Sequence, residues 1–151
     1  MIRQQGFTLV ELMIVLVVIA LIAAIAIPNL INAIDRGKQK RTMSDIRTAA
    51  TAIEAYSVDH SSYPQYTQGS LQATAAADLE PAHIKECPRL DGWYRPLHYV
   101  SENASDYTLG SGGCDGNTPD LGAAGGPSHS FDDDIIFSNG SFRQWPEQLQ
   151  Q

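Results

Sequence analysis

The feature that most constrains this chain is the stretch from Phe7 to Ile27, in which Thr8 and Glu11 are the only polar side chains. At about 1.5 Å of rise per residue it makes a helix of roughly 31 Å, the hydrocarbon thickness of a bilayer. An ordinary secretory signal has a shorter apolar core that ends in a small-residue cleavage site. Here the short basic leader MIRQQG precedes the run and no such site follows it. The helix is therefore expected to remain on the mature protein as a single-pass anchor.

Glu11 is the costly residue in that helix. A carboxylate in hydrocarbon costs about 3 kcal/mol or more unless it is paired, protonated or able to reach water. No Lys or Arg lies within the run, so the nearest cation is a free amine made by cutting the chain just before Phe7. In one helix that amine sits a turn from Glu11. In a bundle the amine of a neighbouring helix reaches it, neutralising both charges and fixing register. The other reading of Glu11 is a side chain that snorkels to headgroups or water.

The segment Gly6-Phe7-Thr8-Leu9-Val10-Glu11, preceded by Arg3 and followed by the long apolar run, resembles the class III leader and amino-terminal helix of type IV pilins and type II secretion pseudopilins. The resemblance implies cleavage between Gly6 and Phe7 by a prepilin peptidase, amino-methylation of Phe7 and a role for Glu11 in assembly. It further implies a homo-oligomeric helical filament, anchored in the bacterial inner membrane with heads in the periplasm. Such a filament is served by an assembly-platform protein, a partner ATPase and minor pilins.

Beyond the apolar run, Pro28 is expected to kink or loosen the helix, with Gly37 a second weak point. Met43, Ile46, Ala50 and Ile53 then recur at spacings of three and four, the pattern of an amphipathic helix whose apolar face carries a head. Ser61, Ser62 and Pro64 end it near Asp59. The stretch Gln68-Gly69-Ser70-Leu71-Gln72-Ala73 is similar to the pseudopilin connection from helix to sheet, and a helical or loop segment follows to Lys85. Short β-prone runs cover Leu97 to Ser101, Asp106 to Leu109, Ile135 to Phe137 and Phe142 to Trp145. The expected fold is α+β, a long amino-terminal helix packed on a small antiparallel sheet. Residues 1–6 form the leader, 7–28 the membrane and polymerisation helix, 29–60 its continuation and 61–151 the head. Trp93, Tyr94 and Trp145 are read as packing around the sheet.

Charge is unevenly placed. The formal net charge is -7, yet Arg36, Lys38, Lys40, Arg41 and Arg47 crowd one stretch, and Arg143 is the only basic residue after Val100. The acidic carboxyl-terminal half argues against nucleic acid as a primary partner. The basic stretch alone would favour a cytoplasmic side for that end of the helix. The basic leader and two cysteines outweigh it. Cys87 and Cys114 suit a single disulfide in an oxidising compartment, the other reading being two unlinked thiols.

Between Gly110 and Asn139 lie Asp115, Asp120 and the run Asp132-Asp133-Asp134, in glycine-rich sequence. Such a loop is either solvated or ordered by a hard cation such as calcium, which takes oxygen ligands from carboxylates and carbonyls. Tyr107-Thr108-Leu109-Gly110, then Asp115-Gly116, then Asp133-Asp134-Ile135 resembles the calcium loop of the major pseudopilin. By position the resemblance implies Asp115, Asp133 and Asp134 as ligands. This sequence departs from the family pattern in its longer loop, in Cys114 beside the first aspartate and in the extra Asp132. A Cys87–Cys114 disulfide would brace the start of the loop, a job that the ion does in the family. No catalytic set is discernible: His60, His83, His98 and His129 are scattered, and no His-Glu-x-x-His, Gly-x-Ser-x-Gly or phosphate-loop motif occurs.

The chain is read as a type II secretion pseudopilin, close to the major one, and not as an enzyme. The alternative within the superfamily is a type IV pilin for adhesion, motility or DNA uptake. The alternative from another class is a membrane-anchored periplasmic binding module, which would not depend on Gly6 or Glu11.

Overall fold

The computed structural model describes residues 6–147. The chain divides into two compact units, Met1–Ile34 and Asp35–Gln151, and helix α1, Leu9–His60, supplies residues to both. Pro28 and Gly37 lie inside α1 and neither ends it. Both positions keep helical backbone, Pro28 costing the ladder one donor.

In the first unit α1 has no buried residue. Its most apolar 18-residue window has a mean hydropathy of 3.1, long and apolar enough to cross a membrane. Thr8 begins the helix: its hydroxyl accepts the N–H of Glu11 at 3.2 Å, and its carbonyl accepts that of Leu12 at 3.3 Å. This is the Thr-x-x-Glu arrangement of a capped helix start.

In the second unit the amphipathic reading holds. Ile46, Ala49, Ala50 and Ile53 are buried, Met43 is packed against them, and Gln39 and Thr42 extend the same face. Burying each isoleucine contributes about 1.5–3 kcal/mol. That face meets a six-stranded sheet of order β1-β2-β3-β5-β6-β4. The strands are β1 Tyr66–Ser70, β2 His98–Ser101, β3 Thr108–Ser111, β4 Gly126–Ser128, β5 Ile135–Ser138 and β6 Ser141–Pro146, with a short helix α2, Ala76–Leu79, after β1. Register aligns Tyr99 with Leu109 and Leu109 with Phe137, giving one row of core side chains across three strands. Two buried phenols in this core are answered by Pro64 O, 2.7 Å from Tyr99, and Glu54 Oε1, 2.8 Å from Tyr107.

The architecture is the expected α+β one, with two differences. β1 and β4 occupy the two edges and fall outside the β-prone runs. β4 also pairs with β6 in parallel, so the sheet is not wholly antiparallel. A Gly-Pro-Ser strand is tolerated at an edge, where the proline needs no ladder partner for a missing N–H.

Candidate functional site

Of the cleavage and assembly residues, Gly6 and Phe7 lie in exposed, irregular backbone just before the Thr8 cap. Arg3 and the rest of the leader, residues 1–5, lie outside the described residues. Glu11 stands in the first turn of α1, where a negative charge favours the helix dipole. The Thr8 cap was legible as Thr-x-x-Glu and passed unread. Around it Phe7, Leu9, Val10, Leu12, Met13 and Ile14 are all more than half exposed. An apolar surface this continuous marks a membrane or protein contact.

The acidic loop folds on itself. Asp115 receives the Asn117 backbone N–H at 3.0 Å on one oxygen and the Asn117 side-chain amide on the other. Asp133 Oδ2 accepts the N–H groups of His129 and Ser130 at 3.1 and 3.0 Å, and Asp134 Oδ2 accepts that of Asp120 at 3.0 Å. The Asp132 side chain is exposed, and its N–H donates to Ser130 Oγ. Burial is the main cause that pushes the Asp134 carboxyl up. The Asp120 N–H pulls the other way, and the charges of Asp115, Asp120 and Asp133 add to the rise. These carboxylates thus share one neighbourhood. Among the described residues, however, no group of three or more His, Cys, Asp or Glu is gathered closely enough to hold a metal.

The expected Cys87–Cys114 bridge is not made, and both thiols are free. Each cysteine is held by different partners. Cys87 is buried with its N–H on Glu80 Oε1 at 2.6 Å, and burial pushes its thiol up to about 11, a protonated and unreactive state. Cys114 donates its N–H to Phe131 O at 2.8 Å, and its carbonyl accepts Arg95 Nη2 at 2.9 Å. That guanidinium lies against Gly116, whose φ of +68° and lack of a side chain allow the approach.

The arrangement missed from sequence is built on Asp91, fully buried. Its Oδ1 accepts the N–H groups of Trp93 and Arg95 at 2.8 and 2.9 Å, and its Oδ2 accepts the Ser111 hydroxyl at 2.6 Å. Gly92 N–H donates to Thr42 Oγ1 at 2.9 Å, and Trp93 Nε1 donates to Asp35 at 3.2 Å. Trp93 is therefore a fastener to α1 rather than sheet packing. Tyr94 is 72% exposed under Arg41, and Trp145 is 40% exposed. Asp91-Gly92 was readable as a turn, but nothing in its spacing announced a buried carboxylate. The histidines are less scattered than read: His60 stacks on Tyr56 at 3.9 Å between ring centroids and lies 5.9 Å from His83.

Comparison with known proteins agrees with this geometry. Residues 1–27 match the prokaryotic N-terminal methylation motif. Residues 29–125 match the family described as type II secretion system (T2SS), protein G. The type II secretion system core protein G of Klebsiella pneumoniae is 34% identical over 132 residues, covering 86% of this chain and 92% of that protein. Those of Vibrio cholerae and Escherichia coli K12 are 31% and 33% identical, over 76% of this chain and 85% and 84% of theirs. No solved structure matches. With one family model spanning most of the head and the methylation motif spanning the apolar helix, the chain belongs to the type II secretion system protein G family.

Proposed function

We propose that this chain is a pseudopilin, a structural subunit that polymerises through α1 into the pseudopilus of a type II secretion system. The observation that carries the proposal is the first half of α1: without a buried residue, apolar over a membrane's thickness, with Glu11 as its one carboxylate. Cleavage between Gly6 and Phe7 supplies the amine that neutralises Glu11 of an adjacent helix, and methylation of Phe7 leaves that amine charged. Exposure of Gly6 and Phe7 supports access by a peptidase. The inner membrane holds the helix until assembly, the head faces the periplasm, and the platform protein, ATPase and minor pseudopilins of the apparatus act on it there. The type IV pilin reading loses support because the thiols that favoured it are unlinked.

Calcium belongs to the same proposal. Asp115, Asp133 and Asp134 would hold it, and an oxygen-only set whose members already repel one another suits a hard cation. Binding requires Asp115 to give up its Asn117 contacts. Bound calcium would supply charge neutralisation and a fixed loop.

The direct test is mass spectrometry of the mature chain from cells carrying the secretion apparatus. The reading expects a chain that begins at Phe7 and carries one added methyl group. A mature chain that retains residues 1–6 would remove it.

A further inference from the structure

A groove of about 640 Å³ runs between α1 and the β5–β6 hairpin, lined by Met43, Arg47, Glu54, Phe137, Phe142 and Trp145 among others. Its walls are largely apolar or aromatic, and Arg47 lies over the Phe142 ring, 5.2 Å from the centroid. Lys40 stands beside it, in an adjoining groove that shares Met43 and Arg47. Lys40 and Arg47 are exposed, and among the described residues neither has a carboxylate within ion-pair distance. The one groove carboxylate, Glu54, takes the Tyr107 hydroxyl. Taken together the two adjoining grooves carry two cations, Lys40 and Arg47, against the one carboxylate of Glu54, and the Lys40–Arg47 side is suited to an anionic protein segment.

The same head carries that segment elsewhere. Asp115, Asp120, Asp132, Asp133 and Asp134 crowd the loop between β3 and β5, and among the described residues none has an ion-pair partner. No residue of this loop lines either groove. Each copy therefore presents, among the described residues, two cations without an ion pair along the groove and, at another place, a run of carboxylates without an ion pair. Two different patches that complement each other make a heterologous contact, which propagates into an open filament instead of closing into a dimer.

We propose that the Lys40–Arg47 groove of one copy receives the acidic loop of the next copy, through the exposed Asp120 and Asp132. The proposal rests on the pseudopilin reading. It is compatible with calcium, which would engage the other three aspartates and leave Asp120 and Asp132 free.

The test uses the full chain in cells carrying the secretion apparatus, with filaments counted by electron microscopy. Arg47→Glu alone and Asp132→Lys alone should each lower filament yield several-fold while leader removal proceeds normally. Both positions are on the surface, so loss of the fold is not the expected cause. Co-expressing the two single variants should restore filaments, because the reversed loop of one fits the reversed groove of the other. The double variant in one chain should assemble for the same reason. Normal filaments from either single variant, or no recovery in both combinations, would overturn the contact and leave the pseudopilin reading standing. A parent chain that keeps its leader and makes no filament would remove that reading and the contact together.

Discussion

Between Leu9 and Ile34, α1 shows large apolar side chains to its surroundings at every turn, Leu16 at 65% exposure being typical. Between Asp35 and His60 the same helix buries Ile46, Ala49, Ala50 and Ile53 and leaves Lys40, Arg41 and Arg47 exposed on its other side. The first part is hydrophobic all round and the second on one face only, and each pattern matches a different solvent. What holds the second part is inside the chain. What holds the first must come from lipid or from other copies.

The strongest way to break this comparison is to cut equal side chains from both parts. In the full chain in detergent, Leu109→Ala should destabilise the head by about 2–5 kcal/mol, since Leu109 is fully buried in the central row. Leu16→Ala should change it by less than about 0.5 kcal/mol. Denaturant unfolding followed by tryptophan fluorescence reads this cleanly, because Trp93 and Trp145 are the only tryptophans and both lie in the head. Equal effects would mean that the two parts unfold as one.

The Asp91 fastener sharpens the same contrast. Asp91→Ala leaves the N–H groups of Trp93 and Arg95 and the Ser111 hydroxyl without their acceptor. Unfolding should become easier by about 3 kcal/mol, with Asp91→Asn less damaging because it keeps one acceptor oxygen. At the other end, Thr8→Ala removes a cap worth about 1 kcal/mol. Its effect should be confined to faster amide exchange at Glu11, with the head's midpoint unchanged.

The smallest expected effect is at Asp134. Its carboxyl is held above the usual range by burial and then by neighbouring carboxylates. Its contribution to stability is therefore present below the ordinary carboxylate range, while it is protonated, and is lost as pH rises through the raised value. Without calcium, Asp134→Asn should raise the head's thermal midpoint at neutral pH by a small margin, because solvent screening weakens the effect of the neighbouring charges. The gain should vanish in acid. With calcium present the order should reverse, the parent gaining stability that the variant does not.

Much of this was legible in the sequence because the signals are periodic. The apolar run, the three-and-four spacing of Ile46, Ala50 and Ile53, and the β-branched or aromatic runs that became β2, β3, β5 and β6 each carry their own pattern. The edges did not. β1 has Gly69 within it and only part-buried or exposed residues, and β4 is Gly-Pro-Ser held by a parallel partner, Gly126 pairing with Gln144. Pro28 does not end α1, which continues through it to His60. The cysteine pairing failed because two cysteines in turn-rich sequence say nothing about distance. The Asp91 network and the cationic groove are products of tertiary contact between segments far apart in sequence, which no local pattern encodes.

The central claim is that Glu11 is kept in an apolar helix for assembly. The measurement that tests it most directly is filament formation by Glu11→Ala in cells with the complete apparatus, with leader removal followed in the same samples. The account predicts normal insertion and cleavage before Phe7 together with a loss of most filaments. Filaments of normal number and length from the variant would contradict it.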